Sequence, residues 1–163
     1  MEQREQTGVR STNSLLRWRQ AGLLIALLAL GAFYLTRNLL GWLAYDDEGG
    51  YLYAAWRISL GELPYRDFLT PQLPVFLYPG AAVLGLTGLS VLAMRLYMLL
   101  LCLGVAVLLF LTLRRMGRQR AAWIALPLLL VHRDLFWAAR FFRPEAPMLL
   151  FAALGMYLFV RGY

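Results

Sequence analysis

Residues 90–120 read SVLAMRLYMLLLCLGVAVLLFLTLRRMGRQR, and this stretch decides the fold. Residues 90–113 are almost wholly apolar, with one charge, Arg95, near the start. At a rise of about 1.5 Å per residue the run is long enough to cross the roughly 30 Å hydrocarbon layer of a bilayer. It stops at Arg114, Arg115, Arg118 and Arg120, a compact basic loop of the kind kept on the cytoplasmic side. The span therefore runs inward, and Arg95 marks its outer end.

Working upstream, residues 75–89 are apolar but short and interrupted by Pro79, Gly80, Gly85 and Gly88. That length suits a re-entrant or interfacial helix. Residues 45–72 are the most polar internal stretch and hold five of the nine acids: Asp46, Asp47, Glu48, Glu62 and Asp67. Together 45–89 are expected to form an outer loop with interfacial helices. Residues 21–44 are an outward-running first span, too long for a signal peptide and without a small-residue cleavage site before Tyr45. Residues 1–20, with Arg4, Arg10, Arg17 and Arg19, read as a cytoplasmic tail. Downstream, 121–139 is expected to cross outward, although Pro127 and the triplet His132, Arg133, Asp134 interrupt it. Residues 146–161 start back. The last apolar run falls short of the roughly 20 residues a span needs, which suggests the front part of a longer protein.

Composition agrees with this path. Of the 163 residues 61% are hydrophobic and 15% charged, and mean hydropathy is +0.60. A soluble domain carries about 25% charged residues. A globule this small could not enclose so much apolar surface, so a soluble enzyme, a disordered tail and a fibrous protein are excluded. The net charge of +7 comes entirely from 16 arginines, scattered between apolar blocks without a continuous basic face. Nucleic acid is thus no partner, and the excess reads as topology and contact with anionic head groups. Nine arginines fall inside and seven outside, a weak asymmetry to which the dense 114–120 loop adds most. The single cysteine, Cys102, is expected to be lipid-facing or packed.

The outer loop carries the candidate chemistry in residues 45–68, YDDEGGYLYAAWRISLGELPYRDF. Asp46 is placed to cap a helix whose first turn holds Asp47 and Glu48, where carboxylates suit the helix dipole. Leu52, Ala55, Trp56 and Leu60 recur at helical spacing, and Gly61 is a natural stop. Tyr51, Tyr53 and Trp56 are interfacial aromatics. A carboxylate held where bilayer meets water can serve as a general base. A plain capping cluster on a solvated loop has the same residues and is the commoner use. A second cluster, HRDLFWAARFFRPEAP at 132–147, interleaves Arg133, Arg140 and Arg143 with aromatics. Arginine forks suit phosphate. Snorkelling with an Arg–Asp or Arg–Glu pair is the equal alternative. His132 alone is an interfacial, hydrogen-bonded histidine, and no zinc set surrounds it.

The order DEGGYLYAAWRISLGELPYRDF, GLTG, LAMRLYMLLL, RRMGRQRAAWIALPLLL, ARFFRPEAPMLL resembles the front half of membrane glycosyltransferases of the GT-C class. It is most similar to the protein mannosyltransferase and aminoarabinose transferase-like group. The resemblance covers about residues 20–160 and implies an all-α polytopic transmembrane bundle with an outer juxtamembrane helix. It implies transfer of a sugar from a polyprenyl-phosphate carrier to a hydroxyl acceptor (a glycan, lipid or protein) at the outer face of the plasma (inner) membrane, with the N-terminus cytoplasmic. The family's acidic motif falls on Asp47 and Glu48, with Asp47 as base, and Asp67 matches a second acidic position. The later Arg-Pro-acid pattern falls on Arg143, Pro144 and Glu145, with Glu in place of Asp. Arg95 matches an arginine at the outer start of the second span. With Arg66, Arg140 and Glu145, these arginines form the expected substrate-binding set, and Asp47, Glu48 and Asp67 the expected catalytic one. Two departures are visible: Gln72, Leu73 and Pro74 stand where a Pro-Pro pair is usual, and the chain has about half the family's passes. Some distant relatives use a divalent metal; no cofactor is called for here. The alternative is a small non-enzymatic membrane protein that binds polyprenyl phosphate or a partner subunit. A transporter fragment is weaker, because no paired broken helices recur.

Overall fold

The computed structural model describes residues 2–37, 39–41, 46–71 and 74–163, with side chains from Trp18 onward except that of Asp46. Among the described residues there are helices and turns but no strand beyond a single bridge between Pro64 and Phe68. The chain is an all-α bundle. Helix α1 spans Glu2–Thr36, α2 Asp46–Ser59, α3 Leu77–Thr87 behind a 3-10 turn at Pro74–Phe76, α4 Val91–Arg115, α5 Gln119–Leu130, α6 Arg133–Ala138 and α7 Glu145–Gly162.

Three segments are long and apolar enough to cross a membrane: Trp18–Thr36, Val91–Arg115 and Glu145–Gly162. The helix of the first span also extends upstream through the polar 1–20 stretch to Glu2. At its other end Thr36 Oγ1 donates back to the carbonyls of Ala32 and Phe33, and the regular helix stops short of residue 44. Residues 42–44, the end of the expected first span, and Tyr45, the start of the expected loop, lie outside the described residues.

The run expected as one pass over 121–139 is divided. Pro127 inside α5 removes a backbone donor, and the helix closes at Leu130. His132 then opens α6, its Nδ1 accepting the Asp134 N–H at 3.3 Å. Alone, the 12 residues of α5 cover about 18 Å, short of a span.

The core lies around α4. Phe110 meets Trp123 edge-on at 4.8 Å, fixing α4 against α5 beyond the Gly117 turn. A Cβ on Gly31 would lie 2.8 Å from Leu130, so α1 and α5 approach at that glycine. Arg115 stacks over Tyr157 near the far ends of α4 and α7, and Gly104 faces Leu150 midway, so these two helices run parallel. Cys102 is buried. The N-terminal ends of these helices carry α2 and α3 as a cap, joined by the Tyr51–Phe76 edge contact at 5.2 Å.

Candidate functional site

Helix α2 places its carboxylates by rotation alone. Successive helical residues point about 100° apart, so Asp47 and Glu48 cannot share an environment. Ala55, seven residues on, packs against the core on the same side as Glu48, with Leu52 and Trp56 partly buried beside it. Leu60, expected on that stripe, is 62% exposed. The helix ends as expected near Gly61, which takes φ +94°.

Glu48 is wholly buried. Arg95 Nε donates to its Oε1 at 3.1 Å and Nη2 to its Oε2 at 2.6 Å, a two-pronged pair from the N-terminal end of α4. The same Oε1 accepts the Phe142 N–H at 3.1 Å. Arg95 also donates to the Leu39 carbonyl beyond α1 and lies over the Phe141 ring. One carboxylate thereby fastens α2, α4, the strand of chain after α1 and the turn before α7. Removing its charge would leave the guanidinium unpaired in a dry site.

Arg140 is 2% exposed. It donates to the Arg37 carbonyl, and its guanidinium lies 3.8 Å from the Phe136 ring centroid. Burial lowers its pKa from the ordinary arginine value. Gly80 permits this packing: a Cβ there would come within 2.8 Å of Phe142 Cε2 and 2.9 Å of Met94 Cε.

Above this dry layer lies a wetter rim. Asp47 is half exposed, and its Oδ2 sits 3.9 Å from Arg143 Nη2. Arg143 Nη2 also meets Glu145 Oε1 at 2.7 Å. Arg143 and Glu145 line a cavity of about 500 Å³ between α6 and α7, whose other walls include Asp134, Trp137, Met148 and Leu149. Asp134, Arg143 and Glu145 are its charged lining, and the remainder is apolar. Trp137 stacks on Phe141 at 5.7 Å, so the aromatic wall is braced by the turn that Glu48 holds.

The structure brings Asp47, Arg143 and Glu145 together, and separately Glu48, Arg95 and the Phe142 amide. Arg66 and Asp67 stand apart. Asp67 accepts from Arg66 Nε at 2.9 Å and from the Leu63 N–H at 2.8 Å, closing a turn in which Tyr65 takes φ +66°. Those two donors hold the Asp67 carboxyl down at about 2. Arg57 pairs with Glu62 and donates to the Asp67 carbonyl, binding this turn to the end of α2. Among the described residues no group of three or more His, Cys, Asp or Glu side chains is placed to share a metal ion.

Sequence reasoning missed the cavity wall on α7 and the backbone partners of Arg95 and Arg140. The first had a faint signal, since Glu145, Met148, Leu149 and Ala152 share one helical face. The second had none, because every residue carries a carbonyl.

Neither a comparison with curated proteins nor one with solved structures yields a match. The family model described as dolichyl-phosphate-mannose-protein mannosyltransferase matches residues 68–163, which include Arg95, Arg140, Arg143 and Glu145 but not Asp47 or Glu48. That is 96 of 163 residues, more than half of the chain, and together with its three apolar helices it makes the protein a membrane member of the dolichyl-phosphate-mannose-protein mannosyltransferase family, a glycosyltransferase of the GT-C type.

Proposed function

We propose that the protein transfers a sugar from a polyprenyl-phosphate carrier to a hydroxyl acceptor at the outer face of the plasma membrane. The observation that carries this reading is the 3.9 Å approach of Asp47 to Arg143, which lines a largely apolar cavity. Arg143 would hold the carrier phosphate, and the cavity between Trp137, Met148 and Leu149 suits the first isoprene units. Asp47, half exposed, is free to take the acceptor proton as the hydroxyl oxygen bonds to the anomeric carbon. The carbon–oxygen bond to the carrier phosphate breaks, and the phosphate leaves with the electron pair. Positioning and charge stabilisation are the protein's main tasks in such a transfer. Glu145 would orient Arg143. Glu48, Arg95 and Arg140, enclosed in the layer beneath, act as positioning residues. Arg66 and Asp67 shape the loop flanking the acceptor's approach.

In this orientation the Arg114–Arg120 turn and residues 1–20 face the cytoplasm and 45–89 face outward. The test of the reaction is transfer of labelled sugar from a polyprenyl-phosphate donor in membranes carrying the protein. Asp47→Asn should abolish transfer while insertion persists; unchanged transfer would remove Asp47 from the mechanism. For the topology, a cysteine placed at Glu62 should react with an impermeant reagent from outside, and labelling only from the cytoplasmic side would reverse the assignment.

A further inference from the structure

The end of the bundle opposite Asp47 carries arginines and, among the residues with described side chains, no acid. Arg19 on α1, Arg114 and Arg115 at the end of α4, and Arg118 and Arg120 at the start of α5 are all exposed. None of the ion pairs among the described residues involves them. Such a concentration of like charge is self-repelling unless an anion joins it. The acids among the residues with described side chains all lie at or near the other end, in 47–67 and 134–145.

Two cavities open between these arginines. One, of about 420 Å³, lies between α1 and α4 and is lined by Gln20, Ala21, Leu24 and Arg114. The other, of about 300 Å³, lies between α1 and α5 and is lined by Arg19, Gln20, Leu23 and Trp123. Gln20 borders both, so Arg19 and Arg114 flank one polar amide from two sides. Each cavity pairs a guanidinium with an apolar wall. The depth is also informative. The apolar spans of α1 and α4 end at Trp18 and Arg115, and Trp18 is 76% exposed. Tryptophans and arginines at a span's end mark the head-group level of a bilayer. Helix α5 starts there without a side-chain cap, and its positive end adds to the same field.

We propose that the Arg19–Gln20–Arg114 cleft binds the phosphodiester of an anionic phospholipid, with the lipid's first methylenes against Leu23, Leu24 and Trp123. The guanidinium groups take the phosphate oxygens, Gln20 can donate to a head-group oxygen, and the apolar walls distinguish a lipid from a free ion.

The test uses the whole chain in detergent, titrated with phosphatidylglycerol or phosphatidylcholine and followed by native mass spectrometry. Phosphatidylglycerol should bind at least about tenfold more tightly. The double variant Arg19→Gln with Arg114→Gln should weaken it roughly thirtyfold, to about the affinity of phosphatidylcholine. Arg133→Gln, at the other end, should change neither. On the unaltered chain, raising the salt from about 0.05 M to about 0.5 M should remove most of the preference, which keeps the test valid even if the double variant misfolds. Equal binding of the two lipids, a preference that survives in a folded double variant, or one insensitive to salt would overturn the proposal. Displacement of the lipid by millimolar inorganic phosphate would also overturn it, assigning the cleft to the free anion.

Discussion

Asp47 and Glu48 are adjacent residues of one helix, yet they belong to two different layers of the molecule. Glu48 is fully enclosed, held by both nitrogens of the Arg95 fork and by the Phe142 amide. Asp47 is 56% exposed and meets Arg143 only at 3.9 Å. One 100° step of a helix is enough to bury one of two adjacent carboxylates and leave the other half exposed. In the dry layer Glu48 and Arg95 are bonded to each other and to the backbone of Phe142 and Leu39. At the rim Arg143 meets Glu145 at 2.7 Å and Asp47 at 3.9 Å, and it borders a cavity.

The largest expected effect separates the layers by activity. Asp47→Asn should lower sugar transfer by about 10²- to 10⁴-fold, the usual worth of a general base, with the unfolding midpoint in detergent unchanged. Glu48→Gln tests the other layer. It should cost about 3–5 kcal/mol of stability by stranding the Arg95 charge, measured as a lowered midpoint. Replacing Glu48 and Arg95 together with apolar residues should recover much of that loss, because no charge then remains unpaired. If Glu48→Gln were harmless to stability but lethal to transfer, the division of roles would be reversed.

Smaller effects sharpen the boundary. Gly80→Ala should destabilise by about 1–3 kcal/mol, since the added methyl meets Phe142 and Met94, and it should loosen the turn that bears Arg143. Proteolysis within 140–145 would report that loosening. The smallest effect concerns Asp67, whose carboxyl is held at about 2 by Arg66 and the Leu63 amide. Its folded pKa lies below the ordinary value of 3.8, so its contribution is complete above that value and is lost as pH falls through about 2. The Leu63 amide should therefore stay protected from exchange at pH 4 and lose protection near pH 2. Asp67→Asn should remove that pH dependence, with little change in overall stability because the pair is exposed.

Much of the fold was legible from one stretch. The 90–120 run, its basic end and the 61% hydrophobic composition require membrane helices, since local apolar length is a property of the chain itself. The acids of 46–48 and the Arg143–Glu145 pair were legible as chemistry by residue type. The division of 121–139 was marked by Pro127 and His132, whose local effects outweigh an unbroken apolar pattern.

Composition and period thus determined that this chain is a helical membrane protein with acids in its first loop and arginines at both ends. Only the tertiary structure decided that Glu48 is sealed against Arg95, 47 residues away, while Asp47 faces Arg143. It also set a cavity beside Arg143, between α6 and α7. The reason is range: hydropathy and helical periodicity are written in neighbouring residues, whereas the partner of a charge is chosen by how distant helices pack.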